Sequence, residues 1–202
     1  MGFVNQSQLI EHGQTGALIS FPTDTVPALA IQPDRAGVLF EVKDRSTEKP
    51  LILMGADLEA FRPYWRGAVA EIDLWQRVMA AYWPGALTLV LPIDHPHGAI
   101  MNPENPTTLG FRIPDHPQAL AILQETGPLA TTSANRSGEP ALTDLAEIAL
   151  AFPQAQVLDR MDPPGSGVAS TVVQWSRQQA DPGWQILRSG AVVPDLPGFT
   201  AS

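Results

Sequence analysis

Short apolar runs recur along this chain, and most of them alternate with segments in which apolar side chains have helical spacing. We predict strands over 17–21, 51–54, 87–91, 109–113, 129–130, 156–158, 170–175 and 184–188, the last two as a hairpin. We predict helices over 6–12, 34–41, 57–64, 68–82, 117–125 and 143–152, with Thr143 as the N-cap of the last. Alternation of this kind is typical of an α/β domain built around a twisted, at least partly parallel sheet.

The length of 202 residues fits one domain with a sizeable core. We find no internal repeat and no second domain boundary, so we predict a single domain over 1–202. Its core spans about 17–190, and 191–202 form a C-terminal tail. Neither the Gly-x-Gly-x-x-Gly nor the Gly-x-x-x-x-Gly-Lys-Ser/Thr pattern occurs, so the two common glycine-rich phosphate loops are excluded.

The charge distribution limits the class of ligand. The net charge is −9, and broad binding of nucleic acid needs many Lys and Arg side chains, so we expect weak or no direct tRNA binding. The two lysines of the chain, Lys43 and Lys49, nevertheless lie six residues apart with Arg45 between them. Such a segment is either a solvated loop or a small local anion site.

The segment 128–140 concentrates Thr131, Thr132, Ser133, Asn135 and Ser137 directly after a short apolar run. Hydroxyls and a carboxamide at the end of a strand can bind an oxyanion or a nucleotide, although the same residues also build ordinary turns. Thr23 and Thr25, with Asp24 between them, follow another predicted strand, at a place where open α/β sheets bind ligands. Because Pro27 excludes a regular helix, we predict a loop or irregular segment there.

Two further features involve charged or metal-binding residue types. Arg112 lies within an apolar strand, and an unpaired buried guanidinium is costly, so it should face a partner or an anionic ligand. His95 and His97, with His116 farther along, suggest a metal site only weakly. A proline separates the first two and no second ligand motif is present, so we expect no metal held by side chains.

Several motifs together resemble the YrdC-like family of threonylcarbamoyl-AMP synthases. They are FPTDTV, Lys43-x-Arg45 with KPL, YWPGALTLVL, FRIPDHP, TSANRSGEP, STVV and ILRSG, in the family's order and approximate spacing over about 19–190. The most specific part is the pair Lys43-x-Arg45 and Ser133-x-Asn135. The resemblance implies the family's twisted open mixed sheet with flanking helices and a concave ligand cavity.

The resemblance also implies an activity: a nucleotidyltransferase reaction that forms L-threonylcarbamoyl-AMP and pyrophosphate from L-threonine, bicarbonate and ATP. Mg²⁺ accompanies the ATP. The product serves the threonylcarbamoyladenosine (t6A) modification of tRNA and passes to a tRNA threonylcarbamoyl transferase complex. Such a step joins two anions, so it requires positive charge and fixed donors more than a proton-transfer pair.

The site residues follow from the matched motif positions. For ATP, the resemblance implies Lys43, Arg45, Thr108, Ser133, Asn135, Thr143 and Arg188. For L-threonine, it implies Thr23, Thr25, Lys49, Arg112, Ser133 and Ser170. The implied catalytic residues are Lys43, Arg45, Ser133 and Asn135.

One departure from the family pattern concerns the amino-acid site. The family usually continues its first motif as TVYGLG, whereas this chain has Pro27 and Ala28 in place of the tyrosine and the first glycine of that motif. Two other functions stay open: a non-catalytic RNA-binding module of the same fold, and an enzyme like the hydrogenase-maturation relatives.

No apolar run approaches the roughly 20 residues needed to cross a bilayer, and the N-terminus does not resemble a signal peptide. We therefore expect a cytoplasmic protein with no membrane contact.

Overall fold

The structure is a computed structural model, and it describes residues 2–136, 138–160, 162–177 and 183–196. Ser137 and residues 197–202 of the predicted tail lie outside the described part. The strands are β1 Gly2–Val4, β2 Ile19–Phe21, β3 Ala28–Ile31, β4 Ile52–Met54, β5 Leu87–Pro92, β6 Thr108–Arg112, β7 Leu129–Ser133, β8 Gln156–Leu158, β9 Thr171–Ser176 and β10 Gly183–Arg188. The helices are α1 Gln6–Gln14, α2 Gly37–Lys43, α3 Val69–Tyr82, α4 His97–Met101, α5 Pro117–Thr126 and α6 Leu145–Ala151.

All these strands join one mixed sheet in the order β1-β8-β2-β3-β7-β4-β6-β5-β9-β10. The pairs β1/β8, β2/β8, β4/β6 and β5/β9 are parallel, and the other neighbours are antiparallel. Strands β9 and β10 form the predicted antiparallel hairpin. The predicted α/β class, with an open mixed sheet and flanking helices, is confirmed.

The central strands place alternate residues on opposite faces of the sheet. Leu53, Leu89, Phe111 and Val173 are wholly buried in the main hydrophobic core. The helix α3 packs against this core through Trp75, Val78 and Met79, as its apolar stripe predicts. The other face of these strands carries both apolar residues, such as Ile52 and Val90, and polar ones, such as Thr88 and Gln174, and it forms the floor of the ligand cavity.

The sequence missed two strands. Pro27 precedes β3 rather than interrupting it, because a residue outside the ladder needs no N–H, and its carbonyl accepts from Ala134 N at 2.9 Å. The strand β1 is only Gly2–Val4, and such a short run gives no periodic signal.

Three helix predictions differ from the structure. The segment 57–64 contains only a 3₁₀ turn, Glu59–Phe61, where Asp57 Oδ1 accepts from Ala60 N at 3.0 Å. The segment 34–41 divides into the 3₁₀ turn Pro33–Arg35 and α2. Thr143 is not the N-cap of α6, because the Asp144 carboxylate accepts from the first backbone N–H groups.

Part of the predicted tail packs onto the domain. Leu196 is buried in the main core, and Asp195 N donates to Tyr82 Oη at 2.6 Å. The single-domain boundary over 1–202 stays a prediction. Within the described part of the chain, no helix is both long and apolar enough to span a bilayer.

Candidate functional site

A cavity of about 660 Å³ lies over the face of the sheet opposite the main core. The strand register puts Thr131, Ile52, Gly110, Val90 and Gln174 in one row across its floor. Gly110 keeps the middle of this row low, since a Cβ there would contact Ile52 and Thr88 side chains at 3.4 Å. The sheet therefore forms the broad floor of the cavity, and loops form its walls.

Two arginines at the cavity wall have no carboxylate partner among the described residues. Arg45 Nε donates to the Lys49 carbonyl at 2.8 Å, and its Nη2 donates to the Pro50 carbonyl at 3.2 Å. Arg188 Nη2 donates to the Ser170 carbonyl at 2.8 Å. Burial lowers the pKa of both guanidiniums, and the charge of Arg188 further lowers the pKa of Arg45. Their positive charge is available to an anionic ligand.

Arg112 has the partner that its place in an apolar strand predicts. Its Nη2 contacts Asp24 Oδ1 at 2.6 Å, its Nη1 donates to Thr25 Oγ1 at 2.8 Å, and its Nε donates to the Gly85 carbonyl at 3.0 Å. Burial lowers the pKa of Arg112, and the Asp24 carboxylate opposes this. A guanidinium has five N–H groups, so some of them remain for a ligand of the cavity that Arg112 lines.

Hydroxyl groups surround this ion pair. Thr23 Oγ1 and Thr25 Oγ1 are 2.9 Å apart, and both side chains are buried. Thr88 lies on β5, next to the strand of Arg112, and its Oγ1 is also 2.9 Å from Ser170 Oγ. These pairs provide fixed, uncharged hydrogen-bonding groups close to the arginines.

Lys43 lies behind the cavity wall rather than in it. The residue is wholly buried, and its Nζ contacts Thr132 Oγ1 at 3.3 Å, Asn135 Oδ1 at 3.4 Å and the Ser133 carbonyl oxygen. Burial first, and then the charge of Arg45, lower the pKa of Lys43 to about 7. Asp44 adopts a left-handed conformation (φ 47°) between Lys43 and Arg45. This turn helps to direct the Lys43 side chain under the end of β7 and the Arg45 side chain toward the cavity.

The structure brings most of the predicted site residues to this one cavity. The residues that line it are Thr23, Thr25, Arg45, Lys49, Thr108, Arg112, Ser133, Ser170 and Arg188. Lys43 and Asn135 contact the wall residue Ser133 from behind. Thr143 is exposed ahead of α6 and does not line the cavity, so its part in ATP binding stays a prediction.

Sequence reasoning missed several cavity residues. Thr88 was hidden within an apolar run, although a hydroxyl in the sequence LTLVL was a signal. Asn102 Nδ2 donates to the Thr108 carbonyl at 3.0 Å and so holds a wall residue in place. Glu48 and Glu104 bring carboxylates to the cavity, and nothing in their local sequence distinguished them from solvated charges.

The histidines serve other contacts. His95 and His97 pack against Tyr64, and Tyr64 Oη is 3.1 Å from His97 Nδ1. His116 Nε2 is 2.8 Å from the Pro163 carbonyl oxygen. Among the described residues, no three His, Asp or Glu side chains are grouped as metal ligands.

Comparisons with known proteins agree on one family. The profile of the Sua5, YciO and YrdC family, described as "Telomere recombination", matches residues 11–190. Threonylcarbamoyl-AMP synthase of Bacillus subtilis is 34% identical over 184 residues, which cover 88% of this chain and 51% of that protein. The threonylcarbamoyl-AMP synthase of Chromohalobacter salexigens is 34% identical over 148 residues, covering 71% of this chain and 77% of that protein.

A solved structure extends the likeness to three dimensions. P. abyssi Sua5 complexed with L-threonine matches with a TM-score of 0.77 and 27% identity, covering 93% of this chain and 55% of that chain. This chain therefore spans about half the length of the Bacillus and P. abyssi relatives.

Proposed function

Because this chain belongs to the Sua5, YciO and YrdC family, we propose that it is an enzyme forming L-threonylcarbamoyl-AMP and pyrophosphate from L-threonine, bicarbonate and ATP. The observation that carries the proposal is a single cavity lined both by unpaired arginines and by an arginine paired with a carboxylate. The relatives that carry the name threonylcarbamoyl-AMP synthase support the same reaction.

The reaction joins two anions. The threonine amine attacks the carbon of bicarbonate with loss of water, which gives a carbamate. A carbamate oxygen then forms a bond to the α-phosphorus of ATP, and the bond from that phosphorus to the bridging oxygen breaks, releasing pyrophosphate. Both steps need the reactants held side by side and their charges compensated.

Different side chains of the cavity hold the triphosphate and the amino acid. Arg45 and Arg188 offer unpaired positive charge for the triphosphate and for the leaving pyrophosphate. Arg112, held by Asp24 and Thr25, offers its remaining N–H groups to the threonine carboxylate. Ser170 and Thr108 line the wall near these groups as hydrogen-bonding partners. Lys43 places its Nζ, whose pKa burial lowers to about 7, beneath Ser133.

Mg²⁺ is proposed to enter with the ATP. Glu48 and Glu104 bring carboxylate oxygens to the cavity, and Asn102 and Asn105 add amide oxygens. Such hard donors suit Mg²⁺, which usually binds through one or two carboxylates together with substrate phosphates. When bound, it neutralises part of the phosphate charge. Glu48 and Glu104 are the residues that would hold it.

The remaining partners follow from the same reaction. We propose that the product passes to a tRNA threonylcarbamoyl transferase complex in the cytoplasm. The net charge of −9 disfavours tight tRNA binding by this chain itself.

The direct test is incubation with ATP, Mg²⁺ and bicarbonate and each amino acid in turn, followed by mass detection of the acyl-adenylate and an assay of pyrophosphate. We expect the product with L-threonine. The yield with L-threonine relative to the yields with the other amino acids measures the effect of Pro27 and Ala28 on amino-acid specificity. Steeply salt-dependent tRNA binding without pyrophosphate release would instead support the RNA-binding module.

A further inference from the structure

The last strand of the sheet is irregular where it reaches the cavity. Ile186 lies opposite Val173, but the next residue of β10 in the pairing is Arg188, which lies opposite Val172. Leu187 is therefore an extra residue, a β-bulge in β10. A bulge changes the direction of the side chains that follow it.

The bulge decides which face of the sheet Arg188 occupies. Side chains alternate between the two faces of a regular strand, and Trp184 and Ile186 both pack with the main core. Regular pairing would therefore place Arg188 on the core face as well, where an unpaired guanidinium is costly. In the structure two consecutive residues, Leu187 and Arg188, both line the cavity. The bulge thus brings the charge of Arg188 to the cavity.

Hydrogen bonds fasten the end of β10 to the beginning of β9. Ala191 N donates to the Ala169 carbonyl at 2.9 Å. Gly190 N donates to Thr171 Oγ1 at 3.0 Å, and Thr171 Oγ1 donates to the Val192 carbonyl. The two segments approach so closely that a Cβ on Gly190 would overlap the Ala169 carbonyl oxygen. The chain that follows the bulge is therefore held in one position.

Thr171 contributes a buried hydroxyl to this connection. The residue is 1% exposed and lies opposite Leu87 of the main core, whereas its neighbour Ser170 lines the cavity. Its one hydroxyl hydrogen goes to the Val192 carbonyl, and one of its lone pairs accepts from Gly190 N. Without the hydroxyl, both backbone groups lose this partner, and the segment after the bulge is held less firmly.

We propose that Thr171 is a positioning residue for ATP binding, and that its hydroxyl stabilises the bulge that turns Arg188 into the cavity. The inference rests on the proposed function, in which Arg188 offers its charge to the triphosphate. Thr171 does not itself line the cavity, so its effect on ATP passes through Arg188.

The test is a mutant cycle between Thr171 and Arg188, with the affinity for ATP and Mg²⁺ measured by calorimetry. We expect Thr171→Val, which keeps the shape of the side chain without its hydroxyl, to weaken ATP binding about 10-fold. In Arg188→Met, adding Thr171→Val should cost less than about 2-fold more, because both residues act through one contact with ATP. Thr171→Ser restores the hydroxyl and should bind ATP within about 2-fold of the wild type.

Thr126→Val is the matched control. Thr126 Oγ1 also donates to a backbone carbonyl, that of Gly127, at 2.9 Å, and Thr126 does not line the cavity. This variant should keep ATP affinity within about 2-fold of the wild type. Thermal unfolding of each protein sets a temperature at which all of them are folded, and calorimetry is done there. If Thr171→Val does not fold, Thr171→Ala replaces it in the same cycle with the same expectations.

Three results would overturn the inference and leave the proposed function standing. They are an unchanged ATP affinity without the Thr171 hydroxyl, losses that multiply in the double variant, and a Thr171→Ser protein that binds ATP as weakly as Thr171→Val. The second of these results is the one that a purely structural role of Thr171 predicts. A wild-type protein that does not bind ATP would overturn both the inference and the proposed function.

Discussion

Arg112 and the pair Arg45 and Arg188 line the same cavity but are held in different ways. Arg112 has a carboxylate partner, Asp24, whose side chain is only 15% exposed. Arg45 and Arg188 bond to carbonyl and hydroxyl oxygens, and no ion pair is found for either within the described residues. One part of the cavity is therefore near neutral and suits a zwitterion such as an amino acid. The part around Arg45 and Arg188 has two arginine charges that no carboxylate pairs with among the described residues, and it suits a polyanion.

Removal of Asp24 should show the difference between the paired and the unpaired arginines most clearly. In Asp24→Ala a buried guanidinium loses its charge partner, so the free energy of unfolding should fall by about 3–5 kcal/mol. Glu59→Ala is the control, because it breaks the Arg62–Glu59 pair, whose side chains are 56% and 72% exposed. That loss should stay below about 1 kcal/mol. Urea denaturation of both variants measures the difference, and equal losses would show that the Asp24 pair is not a buried one.

Arg188→Met should destabilise the protein less than Asp24→Ala does, and it should weaken ATP binding. No carboxylate is left unpaired, but the buried Ser170 carbonyl loses its donor, so the free energy of unfolding should fall by about 1–3 kcal/mol. ATP affinity should fall about 10- to 100-fold with the loss of a charge-assisted contact. Calorimetry with ATP and urea denaturation on the same preparation give both values. Unchanged ATP binding would remove Arg188 from the nucleotide part of the cavity.

Lys43, like Arg45 and Arg188, has no carboxylate partner among the described residues, and its lowered pKa should make stability depend on pH. Its pKa is about 7 in the folded chain against an ordinary 10.5, so between these values the unfolded state binds more protons. The free energy of unfolding should therefore rise with pH above 7, by at most about 1.4 kcal/mol per pH unit. Lys43→Met cannot titrate and should lose this rise.

Denaturation of the wild type and of Lys43→Met at pH 7, 8 and 9 isolates this contribution. Parallel curves for the two proteins would mean that Lys43 keeps an ordinary pKa despite its burial.

Salt should distinguish the two parts of the cavity by a smaller change in ligand affinity than the substitutions do. ATP affinity should fall as NaCl rises from 50 to 300 mM, roughly several-fold, because partly exposed charges are screened. Threonine affinity should change less than about 2-fold, because the charge of Arg112 is already compensated and buried. Equal salt slopes in calorimetric titrations would contradict a division of the cavity by charge.

The elements with strong local signals were predictable from the sequence. The apolar runs that form β5 and β6, and the stripe on α3, were identified because their patterns extend over several residues. The short strands β1 and β3 depend on neighbours that are distant in sequence, such as the pairing of Ala28 with Ser133, and no local pattern records that pairing.

The candidate site was predictable in composition but not in arrangement. An arginine in an apolar strand predicts a partner for its charge. Asp24, which is that partner, belongs to a polar loop that the sequence identifies as a place for ligands. The burial of Lys43 was hidden, because Lys43-x-Arg45 looks alike in sequence whether both side chains face the cavity or, as here, only the second does. The sequence also could not show that Asn135 Oδ1 faces Ser133 and the buried Lys43.

Arg45→Met is the single variant that tests the division of the cavity most directly, with ATP and L-threonine affinities measured on the same protein. Within the described part of the chain, Arg45 bonds only to two backbone carbonyls, so its removal disturbs no ion pair there. We expect ATP affinity to fall about 10-fold or more and threonine affinity to stay within about 2-fold. A parallel loss of both ligands, or a loss of threonine alone, would contradict it.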